Sequence, residues 1–285
     1  RGTNLFGLYE RNQTAFGVDG SVAANRPFPQ WQGIQTGASR AKSWYNSLQT
    51  KFERNFDKGL FVLASFTWAS AIDQAGTWDA GASPQLLDRF DLENGRMTQT
   101  PILQYTTALT YELPFGKSWS GPTKWVLAGW KSSFIVNWRT GLPINVGLNG
   151  NGIDPATGRA YTFLNRNGGG LRANRVGEAN TGIDPKTDRL KFLNPAAYAV
   201  QTLNTPGNSA RNTAYGPRFF NTDFNLSKGF AITDRQSVDI RWEAFSLFNT
   251  VNFNNPRTGI GGTNFGWITS AREPRIMQLA VRYRF

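Results

Sequence analysis

Along much of the chain, apolar and polar side chains alternate with a period of two, the spacing of a β-strand whose faces meet different surroundings. From Met277 to Phe285, one face holds Met277, Leu279, Val281, Tyr283 and Phe285, and the other Gln278, Ala280, Arg282 and Arg284. Leu103, Tyr105, Thr107, Leu109, Tyr111 and Leu113 alternate in the same way with Gln104, Thr106, Ala108, Thr110 and Glu112. The pattern returns in Trp130, Ser132, Phe134, Val136 and Trp138, set against Lys131, Ser133, Ile135, Asn137 and Arg139. Phe220, Thr222, Phe224 and Leu226 oppose Asn221, Asp223, Asn225 and Ser227, while Val238, Ile240, Trp242 and Ala244 oppose Asp239, Arg241, Glu243 and Phe245. Two rougher strands are predicted over 43–56 and 59–72; in the second, Phe61 and Leu63 break the polar side. With a short strand over 2–8, the reading predicts about eight strands.

The connections alternate in length. Tight turns are predicted at 55–59 and 230–235 and a slightly longer one at 114–122, whereas 73–99, 147–216 and 249–272 are long and rich in Gly, Asn, Thr and Pro. A soluble sandwich has no reason to segregate its loops by length. An outer-membrane barrel does, because its periplasmic turns are short and its extracellular loops long. The predicted fold class is therefore all-β, an antiparallel transmembrane β-barrel fragment with apolar side chains toward lipid and polar ones toward a wet lumen. Hydrocarbon offers backbone N–H and C=O groups no partner, so strands that cross it must pair on both edges.

Composition sharpens this picture. Mean hydropathy is −0.43, and no apolar run approaches the roughly 18 residues of a spanning helix. Ten Trp, 8 Tyr and 21 Phe fit the aromatic girdles of a barrel. The chain has neither His nor Cys, which excludes Ser-His-Asp and Cys-His chemistry, histidine-ligated metals and disulfides. No enzyme activity, metal or cofactor is expected. The 31 Lys+Arg against 19 Asp+Glu give a net charge of +12. These charges are spread singly and not in the runs typical of nucleic-acid binding, so no nucleic-acid partner is expected, and outer-membrane lipid and lipopolysaccharide are. Arg1-Gly2-Thr3-Asn4-Leu5 has no signal-peptide pattern, and the sequence reads as starting inside a domain.

A series of short motifs then carries a family resemblance. Tyr45-Asn46-Ser47-Leu48-Gln49, Ala64-Ser65-Phe66-Thr67-Trp68 and Tyr111-Glu112-Leu113-Pro114-Phe115-Gly116-Lys117 come first. Gly129-Trp130, Thr140-Gly141-Leu142-Pro143, Phe192-Leu193-Asn194-Pro195-Ala196-Ala197-Tyr198, Gly207-Asn208, Arg211-Asn212 and Gly216-Pro217 follow. Asp223-Phe224-Asn225-Leu226, Arg241-Trp242-Glu243-Ala244-Phe245, Leu247-Phe248-Asn249 and Phe265-Gly266 complete the order. From about residue 41 to the end, the series resembles the barrel of Oar-like TonB-dependent receptors. The resemblance implies that residues 1–285 are the carboxy-terminal part of a receptor barrel of about 22 strands, with the plug and amino-terminal domains outside this sequence. It implies energised uptake of a ligand, coupling to the TonB complex through those missing parts, and recognition by the barrel-assembly machinery. The competing class is a structural or adhesion barrel without transport, and a third is an outer-membrane hydrolase.

Site candidates follow from the strands. Val281, Tyr283 and Phe285 resemble a carboxy-terminal barrel-assembly signal. Lys131, Arg139, Asp223, Asp239, Arg241 and Glu243 are candidates for lumen-facing charges; Asp239, Arg241 and Glu243 read as a ladder that satisfies itself across strands in preference to a patch that contacts a plug or solute. A glycosidase reading of Asp239 and Glu243 lacks a sugar cleft. The Asn149-Gly150-Asn151-Gly152-Ile153-Asp154 run lacks the Glu and spacing of a calcium loop. Gly168-Gly169-Gly170 lacks a phosphate-binding fingerprint. Ligand contact is expected from the long loops, chiefly 147–216.

Overall fold

The fold comes from a computed structural model, which describes residues 1–56, 59–74, 90–116, 118–148, 153, 157–159 and 171–285. The apex of the 55–59 turn, the 149–154 run apart from its Ile153 and the 168–170 glycines lie outside them. Eight long strands form one antiparallel sheet: β1 Gly2–Glu10, β2 Gln35–Phe56, β3 Leu60–Asp73, β4 Leu103–Glu112, β5 Lys131–Arg139, β6 Phe219–Ala231, β7 Ser237–Phe245 and β8 Ile276–Arg284. Their order in the sheet is their order in the chain, the meander expected of an up-and-down barrel. Among the described residues β1 pairs only with β2 and β8 only with β7, so the sheet is open.

The register decides which side chains share a face. Met277 lies opposite Ala244, then Phe224, Phe134, Leu109, Val62 and Arg54 in turn. One residue along each strand, Gln278 lies opposite Glu243, then Asn225, Ser133, Thr110 and Phe61. The alternations read from sequence therefore merge into one apolar and one polar face. On the apolar face the Phe134 and Phe224 rings sit 4.6 Å apart, and Phe224 meets Trp242 edge-on at 5.5 Å. Among the described residues most of this face is uncovered: Leu48, Phe52, Trp68 and Leu279 are all more than half exposed, at 55, 51, 52 and 70 %.

Several boundaries differ from the sequence expectation. β2 begins at Gln35 and not near 43, because its first turns pair with β1 through Gly37, Ala38 and Ser39, residues with no apolar alternation to reveal them. β6 runs on to Ala231 and carries Lys228 on the apolar face. The 114–122 turn extends to residue 130 and includes a short helix, α1, Pro122–Leu127. It opens on a proline, whose fixed φ and missing N–H suit a first helical position.

The buried core sits at the long-loop end and not between strands. Ile144, Val146, Leu148, Leu171, Ala173, Phe192, Leu193, Ala197, Tyr198, Ala214 and Ile268 pack into one cluster, with Leu92, Phe253 and Phe265 against it. Two-residue ladders stitch this cap together: Pro143–Ile144 with Ala214–Tyr215, Gly147–Leu148 with Gly259–Ile260, and Asn174–Arg175 with Tyr198–Ala199. Gly141 is required where the chain leaves β5, since a side chain there would strike the Gly216 carbonyl.

A buried ion network ties cap to sheet. The Arg172 guanidinium donates to both carboxylate oxygens of Glu93, at 3.0 and 2.8 Å, and to the Ser209 and Leu92 carbonyls. Arg211 donates to the Asp73 carboxylate at the top of β3 and to the Glu93 carbonyl. Glu93 and Arg172 are 1 and 3 % exposed, so each charge depends on the other: removing one partner strands the other away from water. Glu93→Gln is expected to cost the cap about 3–5 kcal/mol. Amide hydrogen exchange would show it as faster exchange across 171–214, with β4–β7 unchanged. Glu93→Gln with Arg172→Met should be milder than Glu93→Gln alone.

Candidate functional site

Strand parity places all six predicted charges on the polar face. At the short-turn end, Lys131 on β5 lies opposite Glu112 on β4 and pairs with it at 2.8 Å. Asp239 on β7 accepts from Arg284 on β8. Glu243 accepts from Arg241 at 3.4 Å, from Asn225 at 3.2 Å and from Gln278. Asp223 is held by the Asn221 side chain at 2.8 Å and the Ser246 N–H at 2.9 Å. Arg139 stacks on Phe219 at 5.3 Å, and Arg272 covers the same ring at 5.1 Å. Arg284 and Gln278 thus reach Asp239 and Glu243 from the neighbouring strand, whereas Arg241 and Asn221 reach Glu243 and Asp223 along the same strand.

A cavity of about 610 Å³ opens on this face at the short-turn end, lined among others by Lys131, Asp239, Arg241, Arg282 and Arg284. Its cations outnumber its acid. Such a surface draws anions and repels cations over roughly a Debye length of about 8–10 Å.

The long-loop end offers a second recess, about 370 Å³, where the cap meets the ends of β5 and β6. Trp138, Phe192, Val251 and Phe253 give it apolar walls, and Lys186 and Arg218 stand in its lining. Arg218 pairs with Asp184 at 2.9 Å. The Asn180 carboxamide binds both backbone groups of Tyr215, at 2.8 and 2.9 Å, which fixes this wall. No cluster of metal-ligating side chains occurs among the described residues.

A profile of the outer membrane beta barrel domain matches residues 1–278. The chain belongs to that family. It is a protein of the outer membrane, crossing it with strands; no described helix is long and apolar enough to do so. No curated protein matches the chain in sequence.

Beyond the matched residues, Val281, Tyr283 and Phe285 lie at the open β8 edge. Val281 and Tyr283 are 64 and 51 % exposed, and Phe285, just beyond the strand, stacks on Tyr283 at 5.8 Å. The glycosidase pairing stays without support, since Asp239 and Glu243 are engaged by Arg284 and by Arg241 and Gln278. Two features escaped the sequence reading. The loop core was one, although Ile144, Val146 and Leu148 alternate with the same period of two as any strand. Lys228 was the other, a cation interrupting an otherwise apolar face.

Tyr198 gives the cap a pH signature. Burial raises the pKa of its phenol above the ordinary 10.0, and Thr213 Oγ1 at 3.1 Å offsets this only in part. The folded cap therefore prefers the neutral ring. That stabilisation is complete below about pH 10 and falls as pH rises past it. Relative to Tyr198→Phe, exchange in the cap is expected to accelerate as pH rises past the ordinary tyrosine value of 10.0.

Proposed function

We propose that the chain forms part of the wall of an outer-membrane receptor that takes up its ligand with energy supplied through TonB, in the manner of Oar-like receptors. The open sheet carries this reading. Backbone groups along β1 and β8 would be unpaired in hydrocarbon, at a cost of several kcal/mol for each buried group, so those edges must find strand partners, which a larger barrel supplies. The ordered motif series from residue 41 onward points to the same larger barrel. The polar face, with Lys131, Arg139, Asp223, Asp239, Arg241 and Glu243, then lines the lumen. The apolar face meets acyl chains, the short turns are periplasmic, and the cap is extracellular.

In this arrangement the cap is the ligand-gripping surface, because it is the part with a rigid core of its own and recesses at its margin. The wider protein would supply a plug and the segment that binds TonB. Lipopolysaccharide and phospholipid surround the wall, and the barrel-assembly machinery reads the strand ending in Val281, Tyr283 and Phe285. In this reading the wall carries no catalytic role, in line with a sequence that has neither His nor Cys.

Coding sequence upstream of Arg1 is expected to specify a plug domain and a TonB-binding segment. A signal peptide directly before Arg1 would instead favour the adhesion barrel. The facing has its own check: Leu109→Arg is expected to cost about 2–4 kcal/mol of stability in bilayers, and Thr106→Arg about 1 or less, by reversible unfolding from vesicles. Equal penalties would reverse or abolish the assignment. Deleting Phe285 should lower the outer-membrane level of the whole protein, and an unchanged level would remove the assembly-signal role.

A further inference from the structure

Lys228 is the one lysine on the apolar face of β6, and it is only 5 % exposed. Its ammonium lies 4.7 Å from the Phe230 ring and 5.9 Å from the Trp130 ring and donates to the Ala128 carbonyl. It takes part in none of the described ion pairs. An ammonium carries three N–H donors. One carbonyl and two aromatic faces leave its full charge without an anion, a costly condition for a desolvated cation.

The surroundings are built around it. The connection from β4 to β5 folds α1 against the end of β6, where Trp125 packs on Phe230 at 4.8 Å and donates its indole N–H to the Ala231 carbonyl at 3.4 Å. Trp130 donates to the Val126 carbonyl at 3.1 Å. The result is a recess of about 580 Å³ with Lys124, Trp125, Lys228 and Phe230 in its lining and no acidic residue. Around it Phe115, Trp119 and Leu127 are exposed, at 62, 47 and 49 %. Aromatic rings at this level mark the boundary between acyl chains and headgroups.

We infer that this recess binds the phosphate diester of an inner-leaflet phospholipid, taking anionic headgroups in preference to zwitterionic ones. The inference rests on the facing proposed above, with the apolar face toward lipid and the short turns in the periplasm. The two cations supply what a phosphate needs, and Lys228 supplies it from a position already desolvated and fixed by two rings. An acyl chain leaving the headgroup would run along the apolar face past Leu226 and Phe224. A headgroup with its own ammonium would compete with Lys124 and Lys228 for the same phosphate; one without it would not. The bound lipid would in turn fasten α1 to β6.

The test uses the whole protein, with the strands that close its barrel, reconstituted in phosphatidylcholine vesicles that carry either brominated phosphatidylglycerol or brominated phosphatidylcholine as quencher of tryptophan fluorescence. Wild type is expected to reach half-maximal quenching at a roughly fivefold lower fraction of the brominated anionic lipid. The preference should vanish in Lys228→Met and weaken in Lys124→Gln, an exposed substitution that leaves folding alone, while Lys228→Arg keeps it. Equal quenching of wild type by both lipids would overturn the inference and leave the lipid-facing assignment standing. Failure of either lipid to quench would overturn the facing itself. Displacement of the anionic lipid by soluble glycerol phosphate would show a free-phosphate site and overturn the lipid assignment.

Discussion

A peptide group carries one donor and one acceptor that must be satisfied wherever water is excluded. In a membrane wall the only partners are neighbouring strands, so pairing comes first and everything else is arranged around it. The antiparallel meander β1 to β8 meets that demand along its interior. Once neighbouring strands are paired, each side chain has only two directions to point, and a one-residue slip would exchange the faces. That is why the aligned rows from Met277 to Val62 and from Gln278 to Thr110 separate apolar from polar, a separation that blurs only at Arg54 and Phe61. It is also why the two unpaired edges are the least self-sufficient parts of the sheet.

The two ends of the sheet solve different problems. At the long-loop end the chain is in water and builds an ordinary buried core, with Leu193, Val146 and Ile268 each 1 % exposed. The Glu93, Arg172, Arg211 and Asp73 network fixes that core to the top of β3. A buried ion network of this kind is worth more for register than for net stability, and here it sets where the cap stands relative to the wall. At the short-turn end the described residues form no such core. Aromatic rings, α1 and Lys228 pack on the apolar face, and the polar face ends in a cationic hollow. One wall thus presents a packed core at its long-loop end, paired charges along its polar face and a basic hollow at its short-turn end.

Much of this was written in the chain. The period-two alternation located seven of the eight long strands to within a few residues at most ends, and it assigned Lys131, Arg139, Asp223, Asp239, Arg241 and Glu243 to one face, because parity along a strand is a property of the backbone alone. The early part of β2 escaped, since Gly37, Ala38 and Ser39 are held by pairing with β1 and carry no pattern of their own. The segregation of short and long connections was equally visible, as was the absence of histidine and cysteine chemistry.

What sequence could not decide was which distant residues would meet. Glu93 and Arg172, or Asp73 and Arg211, are separated by long stretches whose composition looks merely polar, and only folding of the loops brings them together and excludes water from them. Lys228 shows the same limit from the other side: by composition it is one basic residue among 31 Lys and Arg. Its burial against Phe230 and Trp130 exists only because the β4–β5 connection folds back on β6. Alternation is local and is fixed by strand geometry, whereas desolvation depends on what else arrives in the same volume, and that belongs to the tertiary structure.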